Sequence, residues 1–412
     1  MGNVGLAGLN TIEEMKNLID TVEVEKTVES LQVTEAPGRV LAEDLKARDP
    51  LPRFDQSAMD GYAVQASDLV SAGEDHPVEL KLKNEVAAGD DPQFELNPGE
   101  TARIFTGAPV PPGADAVVIQ EKVEGSSGRV QFFESVEAGA NIRYRGEEIE
   151  PGKTLLSAGQ PISPPGVGLA LSQGVEMVKV YRRPSAAVLS TGEELVPPTT
   201  EPGPGEKRDS SNITLVKELE PLVDEVDSKR VGDRPAKIKT ILSNHLDNYD
   251  VVFTLGGVSV GEKDYVPEVL EELGVEKLAH GVFQKPGKPL WFGRRGETFV
   301  FGLPGNPVSS LACFYLYAYN LLRRIAGYEP ENAGLREGVT RLDSRFDKET
   351  ARSRLAWART WSKNHDLRSR LLDCQESHML TGPAKADSLV YLPGNRESID
   401  TDEPLRVYFL PW

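Results

Sequence analysis

The chain is 412 residues long, with 39% hydrophobic and 27% charged residues. That balance excludes a wholly disordered chain, and the length implies two to four domains. Its 46 basic and 64 acidic side chains leave a net charge of −18, which argues against a nucleic-acid binder with a broad basic face and against a polybasic membrane anchor. The two cysteines, Cys313 and Cys374, cannot build a disulfide framework, a zinc ribbon or an iron–sulfur site, and they suit a reducing compartment. The first ten residues carry no signal-peptide pattern. The most hydrophobic stretch, Val308 to Leu322, is too short to span a bilayer, so a cytoplasmic protein is expected.

Three textures follow one another along the chain. Up to about residue 181 it is rich in Gly and Pro, with one amphipathic helix predicted over Thr11–Asp20. Strand-like pieces such as Thr101–Phe105 and Ala116–Gln120 come next, separated by turn clusters at Gly107–Gly113 and Pro164–Gly168. From Pro184 to Ala326 short buried strands (Ser185–Leu189, Asp250–Leu255, Thr298–Phe301) alternate with helical segments (Ile213–Glu220, Pro235–Leu246, Val266–Leu273, Pro307–Ile325). That alternation predicts a parallel, three-layer α/β domain. From Tyr328 onward the chain reads as a small all-β domain.

In open parallel sheets ligands bind beyond the carboxyl ends of the strands. Four such ends run into glycine-bearing loops: Ser190-Thr191-Gly192-Glu193-Glu194, Gly232-Asp233-Arg234, the run from Gly256 to Asp264, and Gly302-Leu303-Pro304-Gly305-Asn306-Pro307. Glycine lets the main chain approach a ligand, and helix N-termini favour anions; Asn306-Pro307 reads as an N-cap and first-turn pair. Lys285-Pro286-Gly287-Lys288-Pro289 adds two stiffly held positive charges, suited to phosphate or another oxyanion. Glu194, Asp233 and Asp264 oppose such a ligand unless a divalent cation lies between; Mg²⁺ takes one or two carboxylates plus ligand oxygens. Hydrogen bonding to a ligand hydroxyl or ring nitrogen is the alternative. The histidines at 76, 245, 280, 365 and 378 show no metal-ligand spacing and are expected to be structural or exposed, and no Walker A loop appears.

Seven motifs in order make the chain resemble the molybdopterin molybdotransferase family. They are S-A-M-D-G-Y-A-V at 57–64, R-I-F-T-G-A-P-V-P at 103–111, N-I-R-Y-R-G-E-E-I at 141–149, S-T-G-E-E-L at 190–195, G-G-V-S-V-G-E-K-D-Y at 256–265, K-P-G-K-P at 285–289 and G-L-P-G-N-P-V-S at 302–309. The resemblance implies a multidomain α/β plus β protein and a homodimer. Residues 1–181 would form a β-rich region of two subdomains, with about 51–139 inserted in the other. Residues 182–328 would form the α/β/α molybdopterin-binding module and 329–412 a C-terminal β-barrel. It implies insertion of molybdate into adenylyl-molybdopterin with release of AMP, with Mg²⁺ as cofactor and a cleft shared between subunits. Catalytic positions carried over are Asp60, Thr106, Glu148, Glu194, Asp233 and Asp264, with Asp233 and Asp264 near the metal. Glu148 stands where the family has Asp, and Asp209-Ser210-Ser211-Asn212 departs from its D-S/T-N, either with Ser211 at the Asn position or with the register slipped by one. Gly256, Gly257, Ser259, Gly261, Lys285, Lys288, Pro304, Gly305 and Asn306 would hold the pterin ligand, and Arg143 and Arg145 the oxyanion. A tungsten-dedicated paralogue, a non-catalytic molybdopterin-binding scaffold and the adenylylating enzyme of the preceding step are the other readings. The long N-terminal region speaks against the last.

Overall fold

The computed structural model describes residues 8–258, 264–348 and 351–412. Helix Ile12–Thr21 starts on a reciprocal cap: the Thr11 hydroxyl accepts the Glu14 amide at 3.1 Å, and the Glu14 carboxylate accepts the Thr11 amide at 2.7 Å. Its buried face, Ile12, Met15 and Ile19, packs into the core of the α/β region far along the chain.

Three antiparallel pairs tie the ends of the first region together: Val28–Gln32 with Met177–Tyr181, Leu45–Lys46 with Thr154–Leu156, and Gln56–Ser57 with Ile142–Arg143. Between them lies a six-stranded sheet in the spatial order Ala116–Ile119, Gly61–Val64, Glu100–Ile104, Val78–Val86, Arg129–Phe132, Val123–Ser126. Alternate residues serve its two faces. Val64, Leu80 and Phe132 fill one apolar cluster, and Ala63, Val86 and Ile104 the other. The predicted turn at Pro164–Gly168 is instead the start of helix Pro164–Ser172. Pro-Pro-Gly resembles turn chemistry, but Pro164 occupies the first helical position, where it has no amide to satisfy, and Ser163 Oγ accepts the Gly166 amide at 3.2 Å. Ala170 on that helix then packs beside Ile162, Val178 and Val180.

The central sheet has the order Glu225–Val231, Ser185–Thr191, Val251–Leu255, Thr298–Leu303, Trp291–Arg295, Glu276–His280. The first four strands are parallel, but Trp291–Arg295 runs opposite to them and pairs antiparallel with both Thr298–Leu303 and Glu276–His280, so the sheet is mixed and not parallel throughout. Only Gly296 and Glu297 separate Trp291–Arg295 from Thr298–Leu303, a connection that permits a hairpin and no crossover. Every residue of Val251–Leu255 is buried, because helices cover both faces. On one side Val188, Phe253 and Phe301 meet Leu215, Phe314 and Leu321; on the other Leu189, Val252 and Val300 meet Ile238, Leu242 and Leu270. These contacts make the three layers. The last helical stretch runs Pro307–Cys313, a π segment Phe314–Ala318, then Tyr319–Ile325.

In the tail, Ser353–Lys363, Asp366–Leu371, Glu337–Leu342, Leu405–Phe409 and Ser388–Leu392 pair in a ring that returns to Ser353–Lys363. That is the small closed β-barrel expected. Gln284–Lys285 adds beside Ser353–Arg354 and so ties the paired-lysine loop to the barrel. Among the described residues no helix is long and apolar enough to cross a membrane.

Candidate active site

Four parallel strands in register place their carboxyl ends on one edge, and the four glycine loops meet there. They line a single cavity of about 880 Å³, within the size range of small-molecule sites. Ser190, Thr191, Gly192 and Glu194 come from the first loop, Asp233 from the second, Gly256, Gly257 and Asp264 from the third, and Pro304, Gly305 and Asn306 from the fourth. The loops pack backbone to backbone. Gly256 has φ +87°, a Cβ on it would sit 3.0 Å from the Thr191 carbonyl oxygen, and a Cβ on Gly305 would sit 3.3 Å from the Gly256 Cα. Side chains there would fill the space between the loops. Ser259 and Gly261 lie outside the described residues.

The acids sort by their neighbours. Glu193 turns to Arg234, at 3.3 Å. Glu194 lines the cavity with its carboxylate against Gly192, where a Cβ would sit 2.6 Å from Glu194 Oε2. Asp233 and Asp264 line the same space. Among the described residues no group of three or more His, Cys, Asp and Glu side chains is arranged to hold a metal by itself. A pair of carboxylates in one polar cavity instead suits a cation that draws its remaining ligands from a bound phosphate and water.

Asp209 is buried, accepts the Asn212 amide at 3.2 Å and takes a 2.5 Å hydrogen bond from Ser190 Oγ. Asn212 is buried too; its Nδ2 donates to Ser190 Oγ at 3.1 Å, and its Oδ1 accepts from Ser228 Oγ at 2.5 Å. Asn212, not Ser211, therefore links helix Ser210–Leu219 to two neighbouring strands of the central sheet, and Ser211 lines the cavity. Asn306 caps helix Pro307–Cys313 by position only. Its Nδ2 donates 3.2 Å to Ser377 Oγ in the tail.

Of the paired lysines, Lys285 Nζ lies 3.3 Å from Glu376 Oε1. Lys288 is exposed, and it is Pro289 that lines the cavity. Four lining residues escaped the reading of the sequence. Lys207 and Arg208 stand in the charged run before Asp209, a cue that could have been used. His378 and Leu380 come from the tail, where no motif points to them; His378 is exposed, as expected, at the wall of the cavity.

The N-terminal positions form a second cluster, and none of them lines the cavity of the same chain. Asp60 Oδ1 accepts both the amide of Thr106, at 2.7 Å, and its hydroxyl, at 2.8 Å. The amide bond first, then the hydroxyl bond, hold the Asp60 carboxyl below the usual aspartate range. Arg143 pairs with Gln56 across two short strands, and the Arg145 amide donates 2.7 Å to Asp55. The Glu148 amide donates 3.0 Å to the Leu51 carbonyl. Phe54, Met59 and Tyr144 are exposed large apolar side chains in the same segments.

Comparison with known proteins matches two successive stretches of the chain. Residues 10–174 fit the family described as MoeA N-terminal region (domain I and II), and residues 187–324 the family described as probable molybdopterin binding domain. A molybdopterin molybdenumtransferase of Nostoc sp. is 35% identical over 319 residues, covering 76% of this chain and 72% of its own. One from Haemophilus influenzae is 38% identical over 301 residues, 73% of each chain. The crystal structure of a molybdopterin biosynthesis moeA protein from Pyrococcus horikosii superposes with a TM-score of 0.82 at 32% identity, over 98% of this chain and 100% of that one. On these matches the chain belongs to the molybdopterin molybdenumtransferase family.

Proposed function

We propose that this protein inserts molybdate into adenylyl-molybdopterin, releasing AMP and giving the molybdenum cofactor. The observation that carries the reading is the meeting of Glu194, Asp233 and Asp264 with the glycine loops in one cavity. The reaction gathers a phosphate chain, two dithiolene sulfurs and a tetrahedral oxyanion, all anionic. Backbone amides of the glycine loops and the cations at Lys207 and Arg208 in the cavity wall, with Lys285 and Lys288 on the loop that ends in Pro289, offset that charge. Positioning by rigid loops supplies much of the rate gain. Asp233 and Asp264 would hold Mg²⁺, which when bound screens the phosphate oxygens at the bond that breaks.

Asp60, Thr106, Arg143, Arg145 and Glu148 complete the site from a partner subunit of a homodimer. The exposed Phe54, Met59 and Tyr144 around them support burial against another surface. Arg143 and Arg145 carry planar guanidinium groups suited to molybdate. The protein works in the cytoplasm. The test is AMP release from adenylyl-molybdopterin in the presence of molybdate and Mg²⁺. Asp264→Asn is expected to lower it by about 10²-fold or more, and replacing both arginines to raise the molybdate concentration needed. No release by the wild type, or full release by an Asp233→Asn/Asp264→Asn double variant, would remove the reading. Running molybdate against tungstate at equal concentration identifies the metal.

A further inference from the structure

Away from that cleft, where the N-terminal strands meet the α/β region, three arginines from three distant segments converge on a cavity of about 250 Å³. Arg39 follows the first strand pair, Arg183 follows Met177–Tyr181, and Arg323 lies in the last helical stretch. Arg39 is more than nine-tenths buried. One of its Nη atoms bonds Glu29 and the Tyr181 carbonyl, the latter at 2.9 Å, and the other lies 3.9 Å from Asp224. Its Nε is buried without any acceptor. Arg323 donates to the carbonyls of Ala333 and Gly334, both at 3.1 Å. Its guanidinium stands 3.9 Å from the Tyr328 ring centroid and 5.4 Å from that of Tyr319. Among the described residues the Arg183 guanidinium has no hydrogen bond or ion pair of its own. Its Nη2 would stand 4.0 Å from a Cβ on Gly38, in the cavity wall.

We propose that this cavity is a binding site for a compact tetrahedral dianion of the phosphate class, held by the guanidinium groups of Arg183, Arg39 and Arg323. Three cations face two carboxylates, Glu29 and Asp224, both of which contact Arg39 and also act on Arg183. In a chain of net charge −18 a local excess of arginine needs a reason, and a planar fork fits a tetrahedral oxyanion better than an ammonium does. Burial, and then the charge of Arg39, hold the Arg183 guanidinium below its ordinary pKa, against the opposing charges of Asp224 and Glu29. The volume lies below the range of drug-sized ligands, which selects a small anion. Arg39, Arg183 and Arg323 belong to separate segments, so the anion would fasten the N-terminal region to the α/β core.

Calorimetric titration of the full chain with inorganic phosphate at constant ionic strength tests this. Saturable binding is expected, weakened about tenfold or more in Arg183→Met. Arg183→Lys, which keeps the charge without the fork, is expected to bind at an intermediate level and serves if Arg183→Met fails to fold. Lys285→Met, in the proposed cleft, should leave the same binding in place. Glycerol phosphate carries the same dianion on a larger body. Arg183-dependent binding of phosphate alone assigns a free anion, and binding of both extends the site to phosphoesters. Equal phosphate binding in wild type and both Arg183 variants, or binding lost in Lys285→Met and kept in Arg183→Met, would overturn the site. AMP release stays at the wild-type level in Arg183→Met, so failure here is distinct from failure of the proposed reaction.

Discussion

Asp60 and Thr106 show how one short contact sets the chemistry of a side chain. Both donors from Thr106 bind the charged form of the carboxyl, so protonation is disfavoured although the pair is exposed. Thr106→Ala keeps the amide bond and removes the hydroxyl bond. NMR titration of Asp60 should then show its pKa rising part of the way toward the ordinary value near 3.9. The sign follows from linkage: a carboxyl whose folded pKa is depressed contributes its stability above the unfolded pKa, and loses it as pH falls through the folded one. The variant should therefore lose less stability than wild type on acidification below about pH 4. Gly256 is a second single-residue constraint. At φ +87°, with Thr191 and Gly305 against it, Gly256→Ala is expected to cost about 2 kcal/mol or more, read from denaturant midpoints. AMP release should fall as well.

At the scale of elements, buried polar groups decide how helices meet strands. Helix Ser210–Leu219 is docked by Asn212, which reaches Ser190 near the end of one strand and Ser228 in the middle of the next. Asn212→Ala leaves those hydroxyls short of partners and is expected to cost about 2 kcal/mol in urea unfolding. Ser211→Ala, one residue earlier and facing the cavity, should stay within about 0.5 kcal/mol. Equal costs at the two positions would mean that Ser211 carries the docking. Periodicity made most elements legible: the amphipathic run over Thr11–Asp20, and the alternation from Ser185 onward. Helix Pro164–Ser172 was not legible, because Pro-Pro-Gly is shared by turns and by helix starts, and only the Ser163 cap with the buried Ala170 separates them. The mixed sheet edge was overlooked though the two-residue link at Gly296-Glu297 announces it.

For the whole molecule, the two clusters of acids lie in different regions and the N-terminal one does not line the cavity of its own chain. The composite site proposed for a two-fold dimer would account for this and is open to a mixing experiment. Asp60→Asn and Asp264→Asn proteins, each inactive alone, should on subunit exchange regain about a quarter of wild-type AMP release, since half the dimers then carry one intact site. No recovery, with exchange verified by mass, would count against a shared cleft.

The order of motifs along the chain was enough to establish the family, the three-layer core and the four glycine loops on one sheet edge. Those features rest on local chemistry: residue spacing, turn formers and capping pairs. The entry of His378 and Leu380 into the cavity, the choice of Asn212 over Ser211 and the convergence of Arg39, Arg183 and Arg323 were decided by the tertiary structure alone. Each joins residues far apart in the chain through contacts that packing creates and local pattern does not encode.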